Sequence, residues 1–418
     1  MFTCVRVQRL LTMVCGAFVA AILIGGPLAT AQSPPTTPQR TPDTFRVSEP
    51  YIITAPDGGR TQLRGINIGG QVIGLHGPVV DQPGAPGFAF YRGWQVEREG
   101  SRSFIWSREK GFKDLGVLTV AAINDCGDIA GTLTAGGAYR AFRKVGDHIQ
   151  DLGTLEPNNP NSWSMAMGLN ERGDVVGIAS VSQDPAFGGE YRVGFLWTEA
   201  GGMVPVHDTT LFGGALAINN RRQITGYRQS SIPNGSLTAS LIWDNDGSIL
   251  GSGGLGGRYG AAIAINSRTQ AVGTSATSYY IGPLLNGFFW SPATGNVELY
   301  PGGEVDFYME FGSEPHDIDD RGRIVGMINL ATSNTTDAIR RAAVWTSPTE
   351  YFVLNDQTSD AVGINNRGEV IGHLFNLDNY TQQGVVWQVH TPNDRSILDA
   401  AYYTLTGLAT CRLRKLRN

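Results

Sequence analysis

The side chains best equipped for chemistry gather between Pro301 and Asp320. Glu304, Asp306, Glu310 and Glu314 alternate there with Phe307, Tyr308 and Phe311, and His316, Asp317, Asp319 and Asp320 follow at once. Carboxylates accept hydrogen bonds or pair with a cation, while aromatic rings cover an apolar surface. Together they suit a sugar, a cation or a basic peptide. The plainer alternative is an acidic, solvated insertion whose rings pack on their own scaffold. The candidate ligand-binding set is Glu304, Asp306, Phe307, Tyr308, Glu310, Phe311, Glu314, His316 and Asp317. No catalytic residue and no metal ligand is assigned.

Other chemistry finds no support in the sequence. The six histidines, His76, His148, His207, His316, His373 and His390, form neither His-Glu-x-x-His nor a close His-x-His pair, so no zinc site is expected. There is no Gly-x-Ser-x-Gly elbow and no phosphate-binding loop. Asp244-Asn245-Asp246-Gly247 begins like a calcium loop, but it lacks the later Glu of an EF-hand and falls where a hairpin turn is expected. Cys126 stands in a turn with no cysteine motif around it. No cofactor is expected.

These side chains need a frame, and the frame is repetitive. A nonapeptide, Ile/Leu-Asn/Asp-x-x-x-x-apolar-x-Gly, starts at Ile66, Ile123, Leu169, Ile218, Ile265, Ile318 and Ile364, at intervals of 46 to 57 residues. An apolar strand ends on the Ile or Leu. The Asn or Asp begins a turn by bonding its own backbone. Gly at the fifth position supplies the left-handed conformation that closes the turn, and a second strand follows. Arg222 and Thr269 replace that Gly in copies four and five. A β-branched Thr at positive φ is costly, so another turn geometry is expected there. The residue before the Ile or Leu is small in six copies and is Asp317 in the other.

Each interval holds four strand-like pieces. The third is aromatic, as in Phe104-Ile105-Trp106, Phe195-Leu196-Trp197 and Phe288-Phe289-Trp290. Aromatics at one offset in every repeat serve packing between repeats better than stacking on sugars. Four short strands per unit, in seven units, predict an all-β fold: a seven-bladed β-propeller of four-stranded antiparallel blades. The N- and C-terminal regions are expected to pair and close it, with Tyr51–Thr54 as outer strand of the last blade and Ser396–Leu398 as rival. No segment sustains a helical period, which argues against a helical solenoid.

The run Ala141-Phe142, then Asp151-Leu152-Gly153-Thr154-Leu155, then Gly168-Leu169-Asn170-Glu171-Arg172-Gly173-Asp174-Val175-Val176-Gly177 resembles the bacterial extracellular HAF repeat family. The resemblance covers about residues 45 to 390 and is carried by the nonapeptide. The family's signature His is absent, with Arg102, Arg140, Val193, Ala239, Asn286, Arg341 and Gln383 nearby instead. The resemblance implies a propeller-like fold and an extracytoplasmic compartment, and it brings no catalytic residue with it.

The same compartment is expected from the first residues. Met1–Ala31 has Arg6 and Arg9, an apolar run and Ala29-Thr30-Ala31, the pattern of a cleaved signal peptide. Residues 32–44 read as a Pro/Thr-rich linker, 45–400 as the propeller and 401–418 as a basic tail. No transmembrane helix is expected after signal cleavage. Cys126 and Cys411 then remain, enough for one bridge or two free thiols. The formal charge is −5, and the body is more acidic still once the tail's Arg412, Arg414, Lys415 and Arg417 are set aside. Such a body argues against a nucleic-acid role. The expected function is a secreted or periplasmic binding module, a monomer whose partner is a glycan, an envelope polymer or a protein. The alternatives are a carbohydrate-active hydrolase or lyase using loop carboxylates, and a purely structural surface repeat. Both tight turns of each repeat should share one face, leaving the long connections, and the ligand, on the other.

Overall fold

The computed structural model describes residues 45–77, 102–135, 138–182, 190–232, 235–277, 285–299, 312–331, 338–376 and 381–390, all within one compact unit, Thr41–Asn418. Every regular element among them is a strand. Blade one comprises Arg60–Ile66, Val72–Gly77, Arg102–Ser107 and Gly111–Gly116. Blades two to six repeat the pattern over 119–151, 164–205, 213–253, 260–298 and 313–353. Blade seven has Ser359–Ile364, Glu369–Asn376 and Thr381–His390. Within each blade consecutive strands pair antiparallel. The chain is thus a seven-bladed β-propeller.

The outer edge of blade seven is supplied from far back in the chain. Arg46–Val47 and Tyr51–Ile53 both pair with Thr381–His390, in the register Val47↔Val389 and Tyr51↔Val386. Ile53 is buried there while Tyr51 and Ile52 stay exposed. The rival segment Ser396–Leu398 lies outside the described residues.

First strands line the axis, each packing on the first strand of the next blade around the whole ring. The aromatic third strands fill the space between blades. Phe104, Phe142, Phe195, Phe288, Trp243, Trp345 and Trp387 are fully buried, so they are core and present no face to a ligand. The ninth residue of the nonapeptide lies where blade and ring press together. A Cβ on Gly177 would overlap the carbonyl oxygen of Met165 and crowd the Phe195 ring, and the other copies meet the same obstacle.

Every first strand carries a bulge at the residue two before its closing Ile or Leu, as at Arg64, Ala121, Met167, Leu216, Ile263, His316 and Val362. A bulge re-aims its side chain. The strand then enters the tight turn. In blade seven, Val389 N donates to Gly368 O and Gln388 Nε2 to Arg367 O. The third strand therefore ends beside the first turn, and the two tight turns share one face. The long connections lie at the other end.

The turn of copy five does not change geometry, contrary to expectation, and neither does that of copy four. Arg222 and Thr269 sit at φ 63° and 64°, beside glycines at 72° to 86° in the other five copies, and their backbone N–H groups close the same turn. Side-chain bonds offset the strain, which is about 1–3 kcal/mol for such a residue. Arg222 forks onto Asp174 of the preceding blade at 2.8 and 3.0 Å. Thr269 Oγ1 donates to Gln223 Oε1 at 2.8 Å. Asp244–Gly247 is a plain hairpin turn, closed by Gly247 N on Asp244 O with Gly247 at φ 83°.

Candidate binding site on the propeller axis

Seven first strands in one register place equivalent residues in belts around the axis. Two positions carry the asymmetry: the bulged residue and the one two before it. In blades three, four and five they are Met165 and Met167, Gly214 and Leu216, Ala261 and Ile263. In blades six, seven and one they are Glu314 and His316, Asp360 and Val362, Gln62 and Arg64. One sector of the axial wall is therefore apolar and the other charged.

The charged sector is tightly wired. His316 Nδ1 lies 2.7 Å from Ala361 O. A carbonyl only accepts, so Nδ1 carries a hydrogen. His316 Nε2 lies 3.1 Å from Glu314 Oε1. Glu314 is 2 % exposed, and its Oε2 is buried with no hydrogen-bond partner. An orphaned buried carboxylate oxygen costs stability unless water or a ligand donates to it.

His373 continues the wiring into blade one. Its Nε2 accepts the Leu63 N–H at 2.8 Å, so its Nδ1 faces Asp360 Oδ1, also at 2.8 Å, as donor. Burial pushes the Asp360 carboxyl up. The hydrogen bonds that His373 donates outweigh it and hold the group below its ordinary range. Asp317 takes the place of the small residue of other copies and accepts from Ile364 N at 2.9 Å and Ile318 N at 2.9 Å.

Of the sequence-derived set, the structure brings Glu314, His316 and Asp317 into this sector. Glu304, Asp306, Phe307, Tyr308, Glu310 and Phe311 lie outside the described residues. Ser313 opens the first strand of blade six at the end away from the Asn-x-x-Gly turns. Asp360 and His373 were missed, because Asp360 sits in an ordinary strand and His373 in the strand beside it, and only folding sets them against His316 and Leu63.

The turn end of the axis is built differently. In six links the Asn side chain reaches the neighbouring blade: Asn67 donates to Asn124 O, Asn124 to Asn170 O, Asn170 to Asn219 O, Asn219 to Asn266 O, Asn266 to Asp319 O and Asn365 to Asn67 O, at 2.9–3.1 Å. The same Asn accepts backbone N–H groups of its own turn on Oδ1. Its second amide hydrogen goes to the sixth residue of the nonapeptide, as to Asp174, Gln223 and Glu369 at 2.7–3.0 Å. Copy six reverses the roles. Asp319 has no hydrogen to give, and Arg323 stands at the sixth position, bonding Asp319 Oδ2 at 2.7 Å and reaching Asn366 O at 3.5 Å.

The third residue of the nonapeptide forms an inner rim. Asp125 Oδ1 accepts from Ile68 N, Glu171 from Asp125 N, Asn220 from Glu171 N, Asp320 from Ser267 N and Asn366 from Asp320 N, at 2.8–2.9 Å. Burial raises the Asp125 carboxyl, and Asp320 adds to the rise. Burial, followed by the charge of Asp125, pushes Glu171 up to about 8. Among the described residues no group of three or more His, Cys, Asp or Glu is placed to hold a metal ion.

No protein-family model and no curated protein matches the chain. Solved structures that resemble it include the β-propeller domain of the Trilobed protease from Pyrococcus furiosus, at 11% identity over 80% of this chain and 98% of that one, with a TM-score of 0.49. A puromycin hydrolase aligns at 11% identity over 82% of this chain, with a TM-score of 0.46, and the match spans 55% of the hydrolase. The assignment to the β-propellers rests on the seven sheets themselves.

Proposed function

We propose that the protein is a binding module whose ligand enters the axial channel from the long-loop end. The observation that carries this reading is the buried, unpartnered Glu314 Oε2 in a charged sector that faces an apolar one. Such a site suits a partner with hydrogen-bond donors along one edge and apolar surface along the other. Glycans, envelope polymers and protein segments all present that combination. The reading carries with it the expectation of an exported protein of HAF-like repeats.

The hydrolase or lyase reading asks for two carboxylates free to act as acid and base. Glu314 and Asp360 come from adjacent blades, but Asp360 is committed to His373. Binding is therefore the better reading. The test is a glycan, cell-wall polymer and peptide binding screen on the full chain, repeated on Glu314→Gln. Glutamine keeps the shape and can still meet His316, so the fold should persist. Any hit should weaken about tenfold or more, the equivalent of losing a charge-assisted hydrogen bond of about 1.5–3 kcal/mol. Hits that bind Glu314→Gln unchanged would place the site elsewhere.

A further inference from the structure

Away from the turns, neighbouring blades are tied a second time, by an N–H of one third strand and a hydroxyl of the next first strand. Ala141 N donates to Ser164 Oγ at 2.9 Å, Gly287 N to Ser313 Oγ at 3.1 Å, Ala342 N to Ser359 Oγ at 2.9 Å and Gly384 N to Thr61 Oγ1 at 2.7 Å. Each hydroxyl stands five residues before the closing Ile or Leu of its strand. Between blades one and two the hydroxyl comes from the other side, where Ser103 Oγ accepts Val120 N at 3.2 Å. Ser and Thr hydroxyls do not titrate, so these links are indifferent to pH. Blade four has Gly213 at the hydroxyl position, and His207, from the connection into that blade, takes over. His207 Nε2 accepts the Gly194 N–H at 3.2 Å, and a Cβ on Gly213 would collide with that nitrogen. His207 Nδ1 lies 3.0 Å from Asp208 O, so the ring hydrogen is on Nδ1 and Nε2 is the acceptor. The seam between blades seven and one holds a tie of the same kind. His373 Nε2 accepts the Leu63 N–H while Nδ1 donates to Asp360.

We propose that these two imidazoles are proton-sensitive joints, and that on acidification the ring yields first at the seams three/four and seven/one, with blades one to three and four to seven as the bodies between them. A ring nitrogen accepts only in the neutral imidazole. A proton on Nε2 sets one N–H against another and leaves the backbone amide without a partner. His316 shows the contrast: it donates through Nδ1 to Ala361 O, a bond that outlasts protonation of the ring. The charged groups around His207 are Asp208 beside it and Arg228 in the second strand of blade four, and the ring also stacks on Trp243, with centroids 6.0 Å apart. Burial is the largest influence and holds His207 below its ordinary value of 6.5; Arg228 acts in the same direction and Asp208 opposes. The unfolded chain therefore takes up a proton near that value while the folded seam still refuses it, so the stability held there is lost as pH falls below about 6.5. His373 meets Asp360 from blade seven, while His316 from blade six is bonded to the adjacent Ala361 O. From blade one comes Leu63, followed in sequence by Arg64, whose Nη2 lies 3.5 Å from Gln62 Oε1. Asp360 accepts from Nδ1 in either state of the ring, which leaves Nε2 as the nitrogen that answers to pH. This second joint borders the charged sector, so it acts on the wall that the ligand is proposed to meet.

Amide hydrogen exchange on the full chain, followed across pH and corrected for the intrinsic pH dependence of exchange, tests this. Protection around Gly194 and around Leu63 should fall about tenfold from about pH 8 to about pH 5, as a buried amide loses its acceptor. Protection around Ala141 and Ala342, whose acceptors are hydroxyls, should change less than about twofold. His207→Gln sets a non-titrating acceptor in the imidazole's place and should abolish the pH dependence at Gly194 while leaving that at Leu63. His373→Gln should abolish it at Leu63 and leave it at Gly194. A fall shared equally by all four sites, a fall at one joint alone, or a fall that persists in the matching Gln variant overturns the proposal.

Discussion

The two ends of the same seven first strands obey different rules. At the turn end six of the seven copies agree: an amide side chain reaches the next blade, as Asn170 does, and a polar sixth residue such as Asp174 receives its second hydrogen. Midway along the strands they disagree, with Met165, Leu216 and Ile263 on one side of the axis and Glu314, His316 and Asp360 on the other. Near-uniformity there is what ring assembly favours, since each blade must dock on its neighbour. Disagreement confined to one sector serves no symmetric purpose, which is why the ligand is sought there.

Copy six tests how strict the agreement is. Asp319→Asn leaves Arg323 buried opposite a neutral amide, and removing one partner of a buried ion pair costs about 3–5 kcal/mol. Adding Arg323→Gln recreates the Asn219 and Gln223 arrangement of copy four, and most of the loss should return. Urea unfolding of the single and double variants checks this. If the double variant is no more stable than the single, the pair is not a compensated exchange.

Asn170→Ala removes two donated and two accepted bonds. It should cost about 1–3 kcal/mol, mostly through buried groups left unpaired, and leave binding untouched. A binding loss that matches the stability loss would erase the distinction between the two ends.

The rim supplies a pH signature. Glu171 titrates at about 8 in the folded chain, against 4.5 as its ordinary value. Between those values the folded chain keeps a proton that the unfolded chain has released. Stability should therefore fall as pH rises from about 4.5 to about 8 and level off beyond. Glu171→Gln should flatten that slope in thermal melts taken across the range. A variant that keeps the full slope would assign it to another group.

Thr269→Gly exchanges relief of a strained φ for loss of the bond to Gln223. The two terms are each about 1 kcal/mol, so the melting temperature should hardly move. A large gain would show that the Thr269 bond contributes little.

The sequence made the frame legible because a turn is a local object. Asn, Gly and the spacing between them identify seven hairpins without any knowledge of neighbours. What the Asn does beyond its own turn was hidden, since its partner carbonyl lies a whole repeat away. A signal existed at the sixth position, where Gln71, Asp128, Asp174, Gln223, Gln270 and Glu369 are all acceptors and Arg323 appears only beside Asp319. The site was half legible. Glu314 and His316 stood out as departures from the repeat, but their ties to Ala361, Asp360 and His373 arise from packing between blades.

The outer edge of blade seven sets a clock. Gln388 N donates to Ser48 Oγ across 340 residues of chain. At about 5–20 residues per second, roughly 15–70 s separate the synthesis of those two partners. Throughout that interval Tyr51, Ile52 and Ile53 are a finished strand with nothing to pair with, and blade one waits for the neighbour it will finally rest on. The protein is most exposed to wrong partners early, and its cell must shelter the oldest part of the chain longest.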